Sequence, residues 1–201
     1  DNLRVFDFAL TDADRAQLQA AFAQTQRLPG DCGDEYRRPP FLTASGDLSH
    51  HLDGIAPLWP AVPAAHDAAR RHVDSGSTWE PLAGYARAVR RGPRIWVSGT
   101  TATHGSGRLI GAGDAAVQTT YILDKIAASL RALGARLEDV VRTRVYLTDV
   151  NDWRAVSAVH GQYFGHIRPA NTLLQAGALV GEGYRVEIEA EAEVGTAVQA
   201  R

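Results

Sequence analysis

The feature that most constrains this fold is a strict alternation of side chains near the C-terminal end of the chain. From Tyr184 to Val194 apolar and charged residues take turns, and four of the charged ones are Glu187, Glu189, Glu191 and Glu193. Successive side chains of a β-strand point to opposite faces of the sheet, so the segment is predicted to be a strand with one apolar and one acidic face. Acidic side chains at alternate positions repel one another. The acidic face must therefore meet solvent, cations or a partner subunit.

Two helices and several further strands are predicted before this segment. Asp114 caps a helix that ends at Gly134, and Asn151 or Asp149 caps a second helix that carries Trp153 and stops at Gly165. Further strands are predicted at residues 85–89, 95–99, 140–148 and 171–177. In the third of them the alternation predicts one inward face, formed by Val141, Thr143, Val145 and Leu147. The element order predicts an α+β fold, a mixed sheet with two helices on one face.

The other face of this sheet has no helix to cover it. It carries Arg142 and Arg144 beside the glutamates of the last strand. A sheet face of mixed charge without a covering layer is most simply used in oligomerisation, so a homo-oligomer is predicted.

Composition excludes several classes of function. The 201 residues are 45% apolar and 22% charged, which is typical of a globular protein, and the net charge of -2 argues against binding to nucleic acid or an anionic membrane. No apolar run is long enough to span a bilayer, so a cytoplasmic location is predicted. The lone Cys32 excludes an internal disulfide framework, and the adjacent His50 and His51 point in different directions on most backbones, so no metal site is predicted.

Residues 1–73 are predicted to form a separate N-terminal segment, followed by a regular domain at 74–195 and a tail at 196–201. Thr11 is the predicted N-cap of a first helix, and a short helix is predicted from Ala64 to His72.

The phrase F-D-F-A-L-T-D-A-D-R-A-Q-L, within residues 1–28, resembles the C-terminal tail of aldo-keto reductases, which would make this segment the remnant of a reductase fusion or imply a reductase partner. The alternative is a simple docking helix. Because the chain lacks methionine and begins at Asp1, we expect it to be a piece of a longer polypeptide.

An ordered set of motifs in the second part resembles a known family. The motifs are G-Y-A-R-A-V-R-R-G, I-W-V-S-G, A-L-G-A, L-E-D-V-V-R-T-R-V-Y-L-T-D-V-N-D-W and R-P-A-N-T…V-E-I-E-A-E-A. Together, over about residues 76–195, they are similar to the Rid (reactive intermediate deaminase) family, also called the YjgF family. The resemblance implies a chorismate-mutase-like fold and a homotrimer whose sheets form a central barrel, with ligand clefts between subunits.

The resemblance also implies a chemistry, the hydrolysis of small imines and enamines without metal or organic cofactor. In active members an arginine of a P-A-R-[ST] phrase clamps the substrate carboxylate, a glutamate of the last strand positions the attacking water, and a tyrosine lines the cleft. By motif the glutamate falls on Glu187 and the tyrosine on Tyr85, whereas the arginine position holds Asn171. An amide carries no charge to offset the desolvation of a carboxylate. The ligand therefore lacks a carboxylate, or another cation binds it.

Arg87 is the best candidate for that cation, because it lies two residues from Tyr85. Thr172, Ser98 and His104 complete the predicted substrate-binding set. The predicted function is thus a hydrolase or lyase for a small imine, enamine or carbonyl compound. The alternative is a trimeric small-ligand binding module without catalysis, or an interaction domain fused to a reductase.

Each candidate residue also has a purely structural interpretation. Tyr85 could pack with its hydroxyl satisfied, His104 could be a solvent-exposed loop residue, and Arg87 could pair with a glutamate of a neighbouring strand. Glu187 could form an ion pair with Arg142 or Arg144 across the sheet.

Overall fold

The structure is a computed structural model that describes residues 9–23, 60–105 and 107–195. The chain divides into two compact units, residues 1–35 and 36–201. Cys32, His50, His51 and the tail at 196–201 lie outside the described residues.

In the first unit, α1 (Asp12–Ala23) begins at the predicted N-cap, Thr11. The backbone N–H of Thr11 donates to the Asp14 carboxylate at 2.8 Å, and the backbone N–H of Asp14 donates back to the Thr11 hydroxyl at 3.2 Å. This reciprocal pair satisfies two N–H groups at the start of the helix.

The second unit is built on one seven-stranded sheet. Its strands are β1 (Val62–Ala64), β2 (Asp67–Val73), β3 (Ala88–Arg91), β4 (Arg94–Thr101), β5 (Val140–Leu147), β6 (Ala170–Gln175) and β7 (Val186–Glu193). They lie in the order β1-β2-β3-β4-β7-β5-β6, with β5 and β6 parallel and all other neighbours antiparallel. The alternating strand β7 is therefore held on both sides, between β4 and β5.

The described residues of this unit include three α-helices: α2 (Trp79–Ala83), α3 (Ala115–Ala132) and α4 (Trp153–Phe164). The predicted cap of α3 is confirmed, because the Asp114 carboxylate accepts the backbone N–H groups of Ala116 and Val117 at 2.9 and 3.0 Å. Helix α3 packs against β4, β7 and α4.

The predicted apolar face of β7 forms the floor of the core. Its buried side chains are Val186, Ile188, Ala190 and Ala192. Above them lies the buried stripe of α3, which includes Ile122, Leu123, Ile126 and Leu130. The predicted α+β architecture is confirmed. Among the described residues, no helix combines the length and the apolar character that crossing a membrane requires.

In β2 and in β5, one local prediction each was wrong. The segment from Ala64 to His72, predicted as a helix, is largely strand β2, because it pairs antiparallel with β3. Pairing with a distant segment outweighs weak local helix propensity. Val141 does not face inward but is half exposed, because the β5–β7 register shifts between Val140 and Arg142. A bulge of this kind turns one side chain away from the face that simple alternation assigns to it.

The acidic face of β7 is only partly exposed and is met by arginines of its neighbours. Arg144 on β5 lies 3.2 Å from the Glu189 carboxylate and 2.8 Å from that of Glu191, and Arg94 on β4 lies 3.7 Å from Glu193. Glu187 takes no part in this cross-strand network.

Candidate functional site

A cavity of about 290 Å³ opens beside the ends of β4 and β7, next to α2 and the loop that follows β4. Four predicted site residues line it: Tyr85, Arg87, His104 and Glu187. The rest of its wall comprises Ser75, Ser77, Trp79, Ala83, Gly99, Thr101, Thr103, Gly105, Lys125, Val180 and Tyr184.

The segment that carries Tyr85 and Arg87 is an irregular link between α2 and β3 rather than the predicted strand. Helix α2 ends at Gly84, whose φ of 71° is left-handed and suits a residue without a side chain. The link is then tied to β4, since the backbone N–H of Ser98 donates to the Arg87 carbonyl at 3.0 Å and the Ser98 hydroxyl donates to the Ala86 carbonyl at 2.8 Å. Ser98 thus supports the cavity wall without lining it.

Arg87 is a buried cation without an ion pair. Its side chain is 5% exposed, its Nη2 donates to the Gly99 carbonyl at 2.7 Å, and its buried Nε has no hydrogen-bond partner. No carboxylate of the described residues lies within ion-pair distance of it. Burial lowers the pKa of Arg87, while Tyr85, Glu80 and Glu187 act in the opposite direction. A buried guanidinium with unused donors favours an anionic ligand.

Glu187 is the acidic group of the cavity. Burial raises the pKa of Glu187, Arg87 lowers it, and Glu189 raises it. The carboxylate passes so close to Gly99 that a Cβ at residue 99 would overlap it. A glycine at this position of β4 is therefore what allows Glu187 to reach the cavity.

A second carboxylate, Glu80, is buried nearby but already committed. It accepts the backbone N–H and the hydroxyl of Ser75 at 2.9 and 2.7 Å. This contact fixes the start of α2 against the end of β2. Glu80 therefore adds negative electrostatic potential to the site, but both of its carboxylate oxygens are already hydrogen-bonded to Ser75.

Lys125 is the functional group that sequence reasoning missed. It lies in α3, is 8% exposed, and its Nζ donates to the carbonyls of Thr101 at 3.3 Å and Thr103 at 2.9 Å. Burial and, to a smaller extent, Arg87 lower its pKa to about 7, while Glu80 acts in the opposite direction. The available signal was compositional: it is the only lysine of the chain, in a sequence whose lysines and arginines total 21.

The loop after β4 is held by hydroxyl groups. The Thr103 hydroxyl donates to the Tyr184 hydroxyl at 2.8 Å, and the hydroxyls of Thr101 and Thr103 lie 2.8 Å apart. His104, the next residue, reaches the cavity wall.

Asn171 and Thr172 are not brought to this cavity within one chain. Both are exposed on β6, which is the edge strand of the sheet. Strands β5 and β7 lie between β6 and β4, the strand next to the cavity. The Asn171 amide donates to the Thr143 hydroxyl at 2.9 Å, and that hydroxyl lies 2.9 Å from His160 Nε2. Burial lowers the pKa of His160.

The described residues contain no cluster of three or more His, Cys, Asp or Glu side chains that could hold a metal ion. The chemistry that the cavity offers comes from Arg87, Glu187, Lys125 and Tyr85. Together they provide an anion-binding group, a proton donor or acceptor, and an amine.

Comparison with known proteins finds a matching family model and individual proteins of similar sequence. The sequence model described as Endoribonuclease L-PSP matches residues 76–194. Uncharacterized protein SCO2049 of Streptomyces coelicolor is 39% identical over 122 residues, which are 61% of this chain and 90% of that protein.

Two solved structures extend the comparison. Rv2704 of Mycobacterium tuberculosis, described as a member of the YjgF/YER057c/UK114 family, is 46% identical, with a TM-score of 0.57 over 62% of this chain and 99% of its own. The Escherichia coli protein TdcF, solved with bound serine, is 25% identical, with a TM-score of 0.51 over 55% of this chain and 88% of its own. None of these proteins is an aldo-keto reductase, so the resemblance predicted for residues 1–28 is not borne out.

Proposed function

The chain belongs to the endoribonuclease L-PSP family, also called the YjgF or Rid family, and on this premise we propose that it hydrolyses small imines or enamines that carry an acidic group. The reaction needs neither metal nor organic cofactor. Its site is the cavity lined by Arg87 and Glu187.

The observation that carries the proposal is the buried Arg87, which has no ion pair among the described residues, beside a carboxyl group that can hold or release a proton. A guanidinium binds a carboxylate through two parallel hydrogen bonds, and its attraction is strong where water is excluded. Arg87 would thus bind the substrate carboxylate in place of the family arginine, whose position holds the uncharged Asn171 in this chain. The volume of about 290 Å³ suits a small molecule and not a polymer. The serine bound to TdcF is a ligand of this size and chemistry.

The raised pKa of Glu187 fits it for both halves of an imine hydrolysis. The protonated carboxyl group gives its proton to the imine nitrogen, which makes the imine carbon electrophilic. The resulting carboxylate then takes a proton from the water that attacks this carbon. Collapse of the tetrahedral adduct releases ammonia and leaves a carbonyl compound, and Glu187 regains its starting state. Tyr85 borders the same space and would orient the substrate.

We further propose that the working unit is a homotrimer in which neighbouring subunits complete each cleft. The open acidic face of the sheet supports this, as does the exposure of Asn171 and Thr172 on the edge strand β6. In such an assembly these two residues could reach a cavity of another subunit.

The test is a coupled assay in which an amino-acid oxidase generates a 2-imino acid and release of the 2-oxo acid is followed. We expect the protein to accelerate release. Glu187→Gln should lower kcat by about 10²–10⁴-fold, the usual contribution of a general acid or base. Glu138→Gln is the control, because Glu138 lies in the turn before β5 and does not line the cavity.

Arg87→Ala tests the anion site in the same assay. Loss of a charge-assisted contact costs about 2 kcal/mol, so KM should rise roughly thirty-fold. Serine binding by calorimetry without any acceleration would favour the alternative, a ligand-binding module. Full activity in Glu187→Gln would contradict the proposed mechanism.

A further inference from the structure

The chain contains one lysine, and that lysine lies in the wall of the cavity. Lys125 is placed there by α3, as a buried residue of the helix that packs against β4. Burial of a long charged side chain is costly unless it is paired, and no carboxylate of the described residues pairs with it. The position therefore calls for a chemical explanation.

The hydrogen bonds of Lys125 fit a neutral amine. A neutral amine has two N–H donors and one lone pair, and the Nζ has two described acceptors, the carbonyls of Thr101 and Thr103. With both N–H groups donated, the lone pair is left for a group in the cavity. A neutral, hydrogen-bonded amine in a water-poor site is a strong nucleophile toward carbonyl carbon.

We propose that Lys125 is a nucleophile that condenses with a small 2-oxo acid in this cavity to form a Schiff base. The inference uses the proposed anion site at Arg87, which would hold the carboxylate of the 2-oxo acid. It does not require the hydrolytic step at Glu187.

The step balances without an additional reactant. The Nζ lone pair attacks the carbonyl carbon, and a proton moves from nitrogen to the former carbonyl oxygen to give a carbinolamine. Its hydroxyl group then leaves as water, with a proton supplied by the Glu187 carboxyl group. The products are a protonated imine on Lys125, one water molecule and the Glu187 carboxylate.

The charges around Lys125 favour this chemistry. Arg87 from the link before β3 disfavours a second positive charge on Lys125. The ring of Tyr121, whose centroid lies 5.6 Å from Nζ, attracts the charged amine and acts against Arg87. Glu80 from α2 opposes the effect of Arg87. Glu187 of β7, Tyr85 and His104 share the cavity. Burial and Arg87 hold the pKa of Lys125 at about 7, so a large part of the amine is neutral at neutral pH.

The experiment is reductive trapping with the full chain. The protein is incubated with sodium pyruvate and sodium cyanoborohydride, whose hydride reduces the imine to a stable secondary amine, and the modified residue is located by peptide mass mapping. Because Lys125 is the only lysine, the α-amino group at the start of the chain is the only other primary amine and serves as the internal reference. We expect Lys125 to be modified at least ten-fold faster than this reference, at a rate that rises through about pH 7.

Variants separate this proposal from a structural role and from the proposed hydrolase. Arg87→Ala should slow trapping of pyruvate much more than trapping of acetone, which has no carboxylate. A smaller loss with acetone is expected, because removal of Arg87 lets the pKa of Lys125 rise and leaves less neutral amine. Lys125→Arg should give no adduct in α3, whereas trapping of the α-amino group continues. The mapping of the unaltered protein decides the matter even if a variant does not fold.

An unmodified Lys125 in the folded protein, with the α-amino group modified, overturns the proposal. Equal rates of trapping of Lys125 in the folded and in the denatured protein would also overturn it, because the cavity would then not raise the reactivity of the amine. Neither result depends on whether imines are hydrolysed. Conversely, a trapped Lys125 without imine turnover would refute only the hydrolase.

Discussion

At the scale of single residues, three ionisable groups in one small cavity have had their pKa values changed by the same cause. Burial disfavours every charged form, so it lowers the pKa of Lys125 and of Arg87 and raises that of Glu187. For the lysine and the glutamate this brings the two pKa values toward each other. Groups of this kind exchange protons readily near neutral pH, which acid–base chemistry requires.

The buried lysine also makes a prediction about stability. In the unfolded chain Lys125 has its usual pKa of 10.5, whereas in the folded protein the pKa is about 7. Between these two pH values the unfolded chain binds more protons than the folded protein. The free energy of unfolding therefore rises with pH across this window, by at most about 1.4 kcal/mol per pH unit. Below about pH 7 the full cost of burying the charge is present. Lys125→Met should therefore be more stable than the unaltered protein at pH 7, with the gap closing as the pH approaches 10.

Chemical denaturation at several pH values measures this difference. Arg131→Met is the matched control, because Arg131 is exposed on the same helix and its removal leaves the buried site intact. A gap between Lys125→Met and the unaltered protein that stays constant from pH 7 to 10 would contradict the lowered pKa.

At the scale of elements, the sequence predicts those strands and helix ends that are determined by residues close together in the chain. The alternation in β7 and the Asp114 cap of α3 were predicted because each depends on neighbouring residues alone. Strand β2 and the bulge at Val141 depend on pairing with distant segments, so no local pattern announces them.

The cavity shows the same division. Tyr85 and Arg87 come from the link before β3 and Glu187 comes from β7. The resemblance to a family pointed to Tyr85 and Glu187, and Arg87 was predicted from its spacing to Tyr85. Lys125 was not predicted as a site residue, because its neighbours in α3 form an apolar stripe. Only the fold shows that its Nζ reaches the end of β4 and the loop that follows it. The roles of these residues remain predictions.

The β1–β2 hairpin gives the prediction at this scale. The sequence predicts a domain that begins at residue 74, yet β2 pairs with β3, and Val73 is fully buried in the core. A chain that begins at Pro60 should unfold at a temperature close to that of the full chain. A chain that begins at Asp74 should unfold at a lower temperature, because it loses the Val73 side chain, worth about 1.5–3 kcal/mol, and exposes β3 as an unpaired edge. Equal melting temperatures for the two shortened chains would show that the hairpin is dispensable.

At the scale of the whole molecule, the face of the sheet that carries Arg144, Glu189 and Glu191, here called the open face, is left partly exposed by the described residues. Its charges are already organised, since Arg144 binds both Glu189 and Glu191, and these side chains raise the pKa of Arg144. Exposed ion pairs contribute little to the stability of a single chain. A network of this kind gains importance if a neighbouring subunit excludes water from it.

Charge reversal within this network distinguishes the two situations. Glu189→Lys places a second cation beside Arg144, which costs little on a solvated surface but is strongly unfavourable in an interface that has lost its water. We expect light scattering to return a trimer for the unaltered protein at micromolar concentration and smaller species for Glu189→Lys. Glu138→Lys is the control, because Glu138 lies in the turn before β5, outside the network, and should leave the mass unchanged. A stable monomer in the unaltered protein would refute the trimer. An unchanged trimer in Glu189→Lys would mean that the subunits meet through another surface, and the open face would then remain in solvent.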